Sequence, residues 1–92
     1  MKKRVIARVF IKSDSIEAFK KQADLIIQKT RNEEGCLFYS LFEGLSTPGE
    51  FLFYEEYADQ SALDIHFKSD HLKNFRTITH EMRSQDAIVD VL

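Results

Sequence analysis

The sequence predicts an α+β fold of the ferredoxin-like type, in which a four-stranded antiparallel sheet has its helices on one face. Strand-like and helix-like segments follow one another in the order βα, ββ, αβ, which is the split β-α-β order of that fold. The chain has 92 residues, enough for one hydrophobic core, and no linker or internal repeat divides it. We therefore interpret residues 1–92 as a single domain.

The first strand and the first helix are predicted near the N-terminal end. Residues 4–12 (RVIARVFIK) are rich in β-branched residues and alternate between two faces. Residues 13–15 (SDS) are candidates for a helix N-cap, and Gly35 is a candidate for the C-cap. Between them, apolar side chains recur every three or four residues, which predicts an amphipathic helix of about five turns. These positions are Ile16, Phe19, Ala23, Ile26, Ile27 and Thr30.

A β-hairpin is predicted in the middle of the chain. Residues 36–43 (CLFYSLFE) and 50–57 (EFLFYEEY) are rich in aromatic residues and leucine. They flank a turn at 44–49 that contains Pro48, the only proline.

Two helices and a last strand complete the predicted order. Asp59 is a candidate N-cap for a short helix over 60–68, and Ser69 for a second helix over 70–83. The C-terminal residues 87–92 (AIVDVL) are typical of a strand.

Both faces of the predicted strands are apolar. In the third strand, Phe51 and Phe53 point to one face and Leu52 and Tyr54 to the other. The helices can cover only one face, and an antiparallel face in contact with water normally alternates apolar and polar residues. We therefore expect a homodimer in which a second copy of the chain covers the other face.

Composition argues against several classes of partner. Thirteen basic and fifteen acidic residues give a net charge of -2, and no nucleic-acid partner is expected. The absence of a leader and of an 18-residue apolar run predicts a cytoplasmic protein with no membrane partner. The single cysteine, Cys36, is interpreted as a small buried hydrophobe. No glycine-rich or phosphate-binding fingerprint occurs, so no cofactor is expected.

The three histidines, His66, His71 and His80, do not form a recognised metal motif. His66 and His71 are five residues apart, roughly 140° around a continuous helix, so they share a face only if the helix breaks. We expect that break at Ser69. A metal site needs three or four ligands, and the sequence alone predicts none.

Glu55 is the strongest candidate for chemistry. The two-residue period of a strand places it on one face with Phe53 and Tyr57. If that face lies under the helices, the carboxylate needs a partner, and His66 or His71 is the nearest suitable group. A carboxylate, a phenol and an imidazole around an apolar cavity can transfer protons on a small organic substrate. The alternative is that Glu55 pairs with an arginine across the sheet or the dimer interface.

Three stretches resemble the antibiotic biosynthesis monooxygenase (ABM) domain family over essentially the whole chain: residues 5–12 (VIARVFIK), 31–43 (RNEEGCLFYSLFE) and 51–73 (FLFYEEYADQSALDIHFKSDHLK). They contain Glu-Glu-Gly-Cys before the second strand, Glu-x-Tyr at the end of the third, and His-x-x-x-x-His across the two short helices. The resemblance implies a ferredoxin-like protomer, a dimeric α/β barrel and a cavity between sheet and helices.

The resemblance also separates branches of that family. Polyketide-phenol monooxygenases carry Asn and Trp at the positions of Phe53 and Tyr57. The haem-degrading branch carries Asn, Trp and an iron-ligating His at the positions of Ala7, Tyr57 and Arg76, so neither activity is expected. The Tyr-Glu-x-Tyr run and the paired histidines are similar to autoinducer-2-phosphate isomerases (LsrG-like) and to YgiN-like members related to quinol monooxygenases.

The resemblance therefore implies a cofactor-independent monooxygenase that acts on a quinol-like or enolisable small molecule. His66 or His71 is expected to be the general base, with Glu55 orienting the imidazole and Tyr57 beside them. The alternatives are an isomerase of a small phosphorylated hydroxydione and a non-catalytic dimeric ligand-binding module. The residues expected to contact the substrate are Phe38, Phe53 and Arg76.

Overall fold

Four strands and three helices alternate along the chain in a computed structural model that describes residues 1–92. The strands pair antiparallel in the spatial order β2-β3-β1-β4, and the predicted ferredoxin-like α+β fold is confirmed. The elements are β1 (Lys3–Phe10), α1 (Ile16–Arg31), β2 (Cys36–Glu43), β3 (Glu50–Tyr57), α2 (Gln60–Phe67), α3 (Asp70–Thr79) and β4 (Ile88–Val91).

The core lies between one face of the sheet and the helices. Phe19 of α1 is fully buried against Phe51 of β3, with ring centroids 4.8 Å apart, and Leu72 of α3 belongs to the same cluster. Burying a phenylalanine side chain contributes about 1.5–3 kcal/mol to stability. The amphipathic pattern of α1 therefore fixes which face of the sheet the helices cover.

Side-chain capping separates the two short helices, as the sequence predicts. The Asp59 side chain accepts a hydrogen bond from the Ala62 N–H at 2.9 Å, and the Ser69 hydroxyl accepts one from the Leu72 N–H at 3.3 Å. The expected break at Ser69 is present, because α2 ends at Phe67 and Ser69 is the extended N-cap of α3.

At α1 the predicted N-cap is confirmed in position, at Ser15, but it makes no side-chain hydrogen bond, and the predicted C-cap at Gly35 is wrong. Residues 13–15 form a 3₁₀ turn, and no side chain caps the first turn of α1. At the other end, the N–H groups of Asn32 and Glu33 donate to the carbonyls of Lys29 and Thr30, so the last turn closes without a left-handed residue. Gly35 is instead a point of close approach, because a Cβ added there would lie 2.3 Å from the Ala62 Cβ.

The β2–β3 turn uses a left-handed residue. Gly49 has a φ of +88°, a conformation that costs other L-residues energy. Its N–H donates to a carboxylate oxygen of Glu43 at 3.4 Å, and its carbonyl accepts from the Ile11 N–H at 2.7 Å. These contacts hold the turn against the end of β1.

The outer face of the sheet, opposite the helices, mixes aromatic residues with ion pairs. Phe38 and Phe42 are 43% and 53% exposed there. The same face carries Glu56, whose carboxylate accepts from Tyr54 at 2.6 Å and from Lys2 at 3.1 Å. The predicted homodimer through this face stays a prediction. No helix has both the length and the apolar character required to span a membrane.

Candidate active site

A cavity of about 340 Å³ lies between the sheet and the helices. Its walls are mostly apolar and come from all four strands and from α2 and α3. The polar groups among these apolar walls include Glu55 of β3, His66 of α2 and Arg76 of α3, and Thr79, His80 and Arg83 also line the cavity. A largely apolar cavity with a few polar groups is the usual form of a small-molecule site.

Glu55 is buried in the cavity wall and is hydrogen-bonded to a tyrosine. Only 4% of the residue is exposed, and its Oε1 accepts from the Tyr57 hydroxyl at 2.7 Å. Burial, and to a smaller extent the nearby charge of Glu33, raise the pKa of the Glu55 carboxyl to about 7. The Tyr57 hydrogen bond and the Arg76 guanidinium act in the opposite direction. Glu55 can therefore exchange a proton near neutral pH.

His66 lies between two carboxyl groups. Its Nδ1 is 2.9 Å from Oε2 of Glu33, and its Nε2 is 3.8 Å from Oε1 of Glu55. A carboxylate can only accept, so Nδ1 carries the proton and Nε2 is left with its lone pair on the side of Glu55 and the cavity. The side chain is 2% exposed, and burial lowers its pKa. His66 is therefore a neutral imidazole with a free acceptor nitrogen.

Glu33 also receives the second histidine. The Nε2 of His71 lies 2.5 Å from the same Oε2 atom, and the rings of His66 and His71 are 6.1 Å apart. The break at Ser69 places the two rings side by side, although a continuous helix would have separated them. Glu33 itself precedes β2, in the segment that follows α1.

Comparison with known proteins identifies the family of this chain. The family model described as antibiotic biosynthesis monooxygenase matches residues 4–78. The chain belongs to the antibiotic biosynthesis monooxygenase family. Over 88 residues it is 36% identical to a Mycobacterium tuberculosis protein named "Putative monooxygenase Rv0793", covering 96% of this chain and 86% of that protein.

Solved structures of ABM proteins agree with this assignment. The crystal structure of an antibiotic biosynthesis monooxygenase is 36% identical, with a TM-score of 0.93 over 98% of this chain and 95% of that one. The structure of Rv0793 is 35% identical, with a TM-score of 0.93 over 100% of this chain and 93% of that one.

The ABM fold brings together some of the residues that the sequence predicts for the site. Phe53, Glu55, His66 and Arg76 all line the cavity. Tyr57 is fully buried behind them, with its ring centroid 5.2 Å from that of His66.

Two other predicted residues, His71 and Phe38, do not line the cavity. His71 reaches only the Glu33 carboxylate behind His66. Phe38 lies on the outer face of the sheet, 5.7 Å between ring centroids from Tyr54. The predicted position of Phe38 in the cavity wall is therefore wrong.

The strand register explains the correction for Phe38. An irregularity between Cys36 and Phe38 is followed by a regular ladder in which Phe38 is opposite Glu56 and Tyr39 is opposite Glu55. Residues directly opposite each other share a face, so Tyr39 is the cavity residue of this pair. The Cys36 thiol is half-buried, and burial raises its pKa to about 11, in agreement with an unreactive cysteine.

Three residues of the site or its surroundings were not predicted from the sequence: Glu33, Tyr39 and Arg83. Tyr39 and Arg83 line the cavity, and Glu33 orients His66 from behind it. The expected orienting group was Glu55, which instead receives the Tyr57 hydroxyl. Counting outward from a turn at 44–49 pairs Glu43 with Glu50 and places Phe38 opposite Glu55, whereas the observed register pairs Glu43 with Phe51 and places Tyr39 opposite Glu55. No sequence signal exists for Glu33, which is 33 residues from His66.

Proposed function

We propose that this ABM protein is a cofactor-independent monooxygenase that oxidises a quinol-like or enolisable small molecule in the cavity. The observation that carries the proposal is the orientation of His66, which is bonded to Glu33 at Nδ1 and offers a lone pair at Nε2 on the cavity side. The family assignment supports oxygen chemistry in general. The substrate class comes from the family resemblance, and an apolar cavity with a base in its wall supports it.

The first step is removal of a proton from the substrate. His66 Nε2 accepts the proton of a substrate hydroxyl or of an acidic carbon, and the imidazolium that forms keeps its Nδ1–H on the Glu33 carboxylate. An oriented carboxylate stabilises an imidazolium in the same way in hydrolytic triads. Glu55, 3.8 Å from Nε2, is near enough to stabilise that charge or to accept the proton.

The deprotonated substrate is an electron-rich anion that can react with dioxygen. Arg76 lines the cavity, and its guanidinium offers a fixed positive charge to such an anion. For an activated CH₂ group, one oxygen atom becomes the new carbonyl, the other leaves as water with the two hydrogens, and the substrate supplies all four electrons. The apolar walls, including Phe53 and Leu72, keep water away from the anion.

A second candidate function is isomerisation of a phosphorylated hydroxydione. The observation that favours it is a second arginine in the cavity wall, Arg83, whose Nη2 lies 2.6 Å from Nδ1 of His80. Together with Arg76, these groups favour an anionic substrate, whereas a quinol carries no fixed charge. In this reaction His66 moves a proton between neighbouring carbons and no dioxygen is consumed.

We also propose that the protein forms a homodimer through the outer face of the sheet. The apolar residues there, among them Phe38, Phe42 and Ile88, are 43–53% exposed in the single chain. Contiguous apolar surface on one face of a sheet is typical of a protein interface. Arg8 and Glu50 pair at 2.9 Å on the same face and can take part in the contact.

Oxygen consumption tests the proposal directly. The purified protein is incubated with a panel of quinols and small enolisable ketones in an oxygen electrode, and a parallel anaerobic series contains a phosphorylated hydroxydione. We expect oxygen uptake that falls by about 10²–10⁴-fold in the His66→Asn variant. The control is Asp64→Asn, an exposed position on the same helix. No uptake with any compound, or equal uptake in His66→Asn, contradicts the monooxygenase, and anaerobic turnover favours the isomerase.

A further inference from the structure

Behind the cavity, the side chains of Glu33, His66 and His71 form a group of possible metal ligands. Each residue offers one ligand atom, and these three atoms all lie within 4.8 Å of one another. We propose that these residues bind a divalent transition-metal ion of the zinc type. The binding site itself does not depend on the proposed function.

The ligand set favours this class of ion. Two imidazole nitrogens and one carboxylate oxygen are the donors of three-ligand zinc sites, which keep a fourth position for water. Magnesium and calcium prefer oxygen ligands, so they are disfavoured by the two nitrogens. His66 and His71 also belong to separate helices, and the break at Ser69 leaves their ring centroids 6.1 Å apart.

The Glu33 carboxylate has an incomplete set of partners. Both histidines contact Oε2, and Oε1 is buried without any hydrogen-bond partner. The side chain is 10% exposed, so this oxygen is also shielded from bulk water. A buried polar atom without a partner destabilises the folded chain. An ion coordinated by both oxygens of the Glu33 carboxylate would give Oε1 a partner.

Glu33 Oε2 lies closer to both histidines in this structure than it would with an ion bound between them. Ligand atoms about 2.1 Å from one tetrahedral ion lie roughly 3.4 Å from each other. Glu33 Oε2 lies 2.9 Å from His66 Nδ1 and 2.5 Å from His71 Nε2. The ion must therefore replace the two N–H hydrogens, with the carboxylate moving back slightly. His71 has 20% of its side chain exposed, which gives the ion access from solvent.

Binding of the ion would also change which nitrogen of His66 carries the ring hydrogen. The effect of this change on catalysis rests on the proposed function. A neutral imidazole bound to a metal through Nδ1 carries its hydrogen on Nε2. That nitrogen is the one on the side of Glu55 and the cavity. The metal-loaded protein thus offers a donor where the metal-free protein offers the proposed base, and the ion would switch proton abstraction off.

Metal titration tests the site in the absence of any substrate. Tag-free protein is treated with chelator, dialysed and titrated with ZnCl₂ in a calorimeter near neutral pH, and Co²⁺ absorption spectra report tetrahedral coordination. We expect one ion per chain, with affinity reduced roughly tenfold or more in His71→Asn and Glu33→Gln. His80→Asn, which replaces the histidine outside the group, is expected to bind as the wild type does. Absence of binding, or equal affinity in His71→Asn, overturns the proposal.

Histidine NMR of the wild-type protein gives a second measurement that needs no variant to fold. Long-range ¹⁵N spectra distinguish a protonated ring nitrogen from an unprotonated one. We expect the ring hydrogen of His66 to move from Nδ1 to Nε2 when Zn²⁺ is added, with a matching change at His71. Unchanged spectra at both residues contradict the site. If the ion binds and no compound is oxidised by metal-free protein, only the proposed function fails.

Discussion

The Nδ1 atom of His66 lies 2.9 Å from Oε2 of Glu33, a carboxylate from the segment between α1 and β2. This contact fixes which nitrogen of the buried imidazole carries the hydrogen. Because the same oxygen also contacts His71, one carboxylate organises both histidines. The chemistry at the cavity therefore depends on a residue outside its wall.

Replacing Glu33 with glutamine is expected to lower the free energy of unfolding by about 1.5–3 kcal/mol, because two imidazoles lose a charged acceptor. Urea denaturation at neutral pH measures the loss. The control is Glu34→Gln, the exposed neighbour, for which we expect a change of about 0.5 kcal/mol or less. Equal stability of the two variants would show that Glu33 does not hold the histidines.

We expect the wild-type protein to lose stability as the pH rises, and the Glu55→Gln variant not to show this loss. The folded-state pKa of Glu55 is about 7 against an ordinary 4.5, so the folded chain holds this proton more tightly. The contribution is fully present below pH 4.5 and is lost as pH rises through 7. At roughly 1.4 kcal/mol per pH unit, the wild type should lose about 3 kcal/mol relative to Glu55→Gln.

Urea denaturation at a series of pH values from about 4.5 to 8 checks this prediction for Glu55. The lowered pKa of His66 acts in the opposite direction, with stability present above its ordinary pKa and lost as pH falls, but it is common to both proteins. Glu56→Gln is the control, since the Glu56 pKa is lowered by the Tyr54 and Lys2 hydrogen bonds and its effect lies at more acid pH. Parallel curves for wild type and Glu55→Gln would contradict the raised pKa.

Removal of the Tyr57 hydroxyl is expected to cost about 1–2 kcal/mol, because this buried group is the only hydrogen-bond donor to Glu55 Oε1 in the structure. Tyr57→Phe should also raise the pKa of Glu55 further, since that hydrogen bond acts to lower it. Tyr54→Phe removes an equivalent hydroxyl on the outer face, where the hydrogen bond to Glu56 contributes little. Chemical denaturation of the two variants compares them, and a larger cost for Tyr54→Phe would count against a structural role for Tyr57.

Light scattering after size-exclusion chromatography tests the proposed dimer. We expect the wild type to have twice the 10.8 kDa mass of the chain and Phe42→Asp to have the mass of one chain, because a charge in the apolar contact cannot be solvated. Leu45→Asp is the control, since Leu45 is fully exposed in the turn between β2 and β3. A monomeric wild type would remove the proposed interface.

Local sequence patterns predicted most of the fold. The caps at Asp59 and Ser69 and the amphipathic pattern of α1 were predicted because each depends on residues close together in the chain. The C-terminal end of α1 was not predicted, because Asn32 closes the helix through backbone hydrogen bonds that do not depend on its side chain. The position of Gly35 depends on contact with a helix that comes 25 residues later.

The site was predicted less completely, for a similar reason. Period-two alternation placed Glu55 on the correct face, and the helix break brought His66 and His71 together. The choice between Phe38 and Tyr39 required the register of β2 against β3. The partnership between Glu33 and His66 joins segments whose contact is set only by the complete packing of the chain.

Because Gly35 lies so close to Ala62, a substitution at either position affects which residues the other position can accept. A methyl group at position 35 would lie 2.3 Å from the Ala62 Cβ, so Gly35→Ala alone should cost about 1–3 kcal/mol. Ala62→Gly alone should cost about 1 kcal/mol through helix propensity. The double substitution G35A/A62G removes the clash and should recover part of the loss. Relatives can therefore exchange the small residue between the two segments that bring Glu33 to His66, but a larger side chain at both positions would separate them.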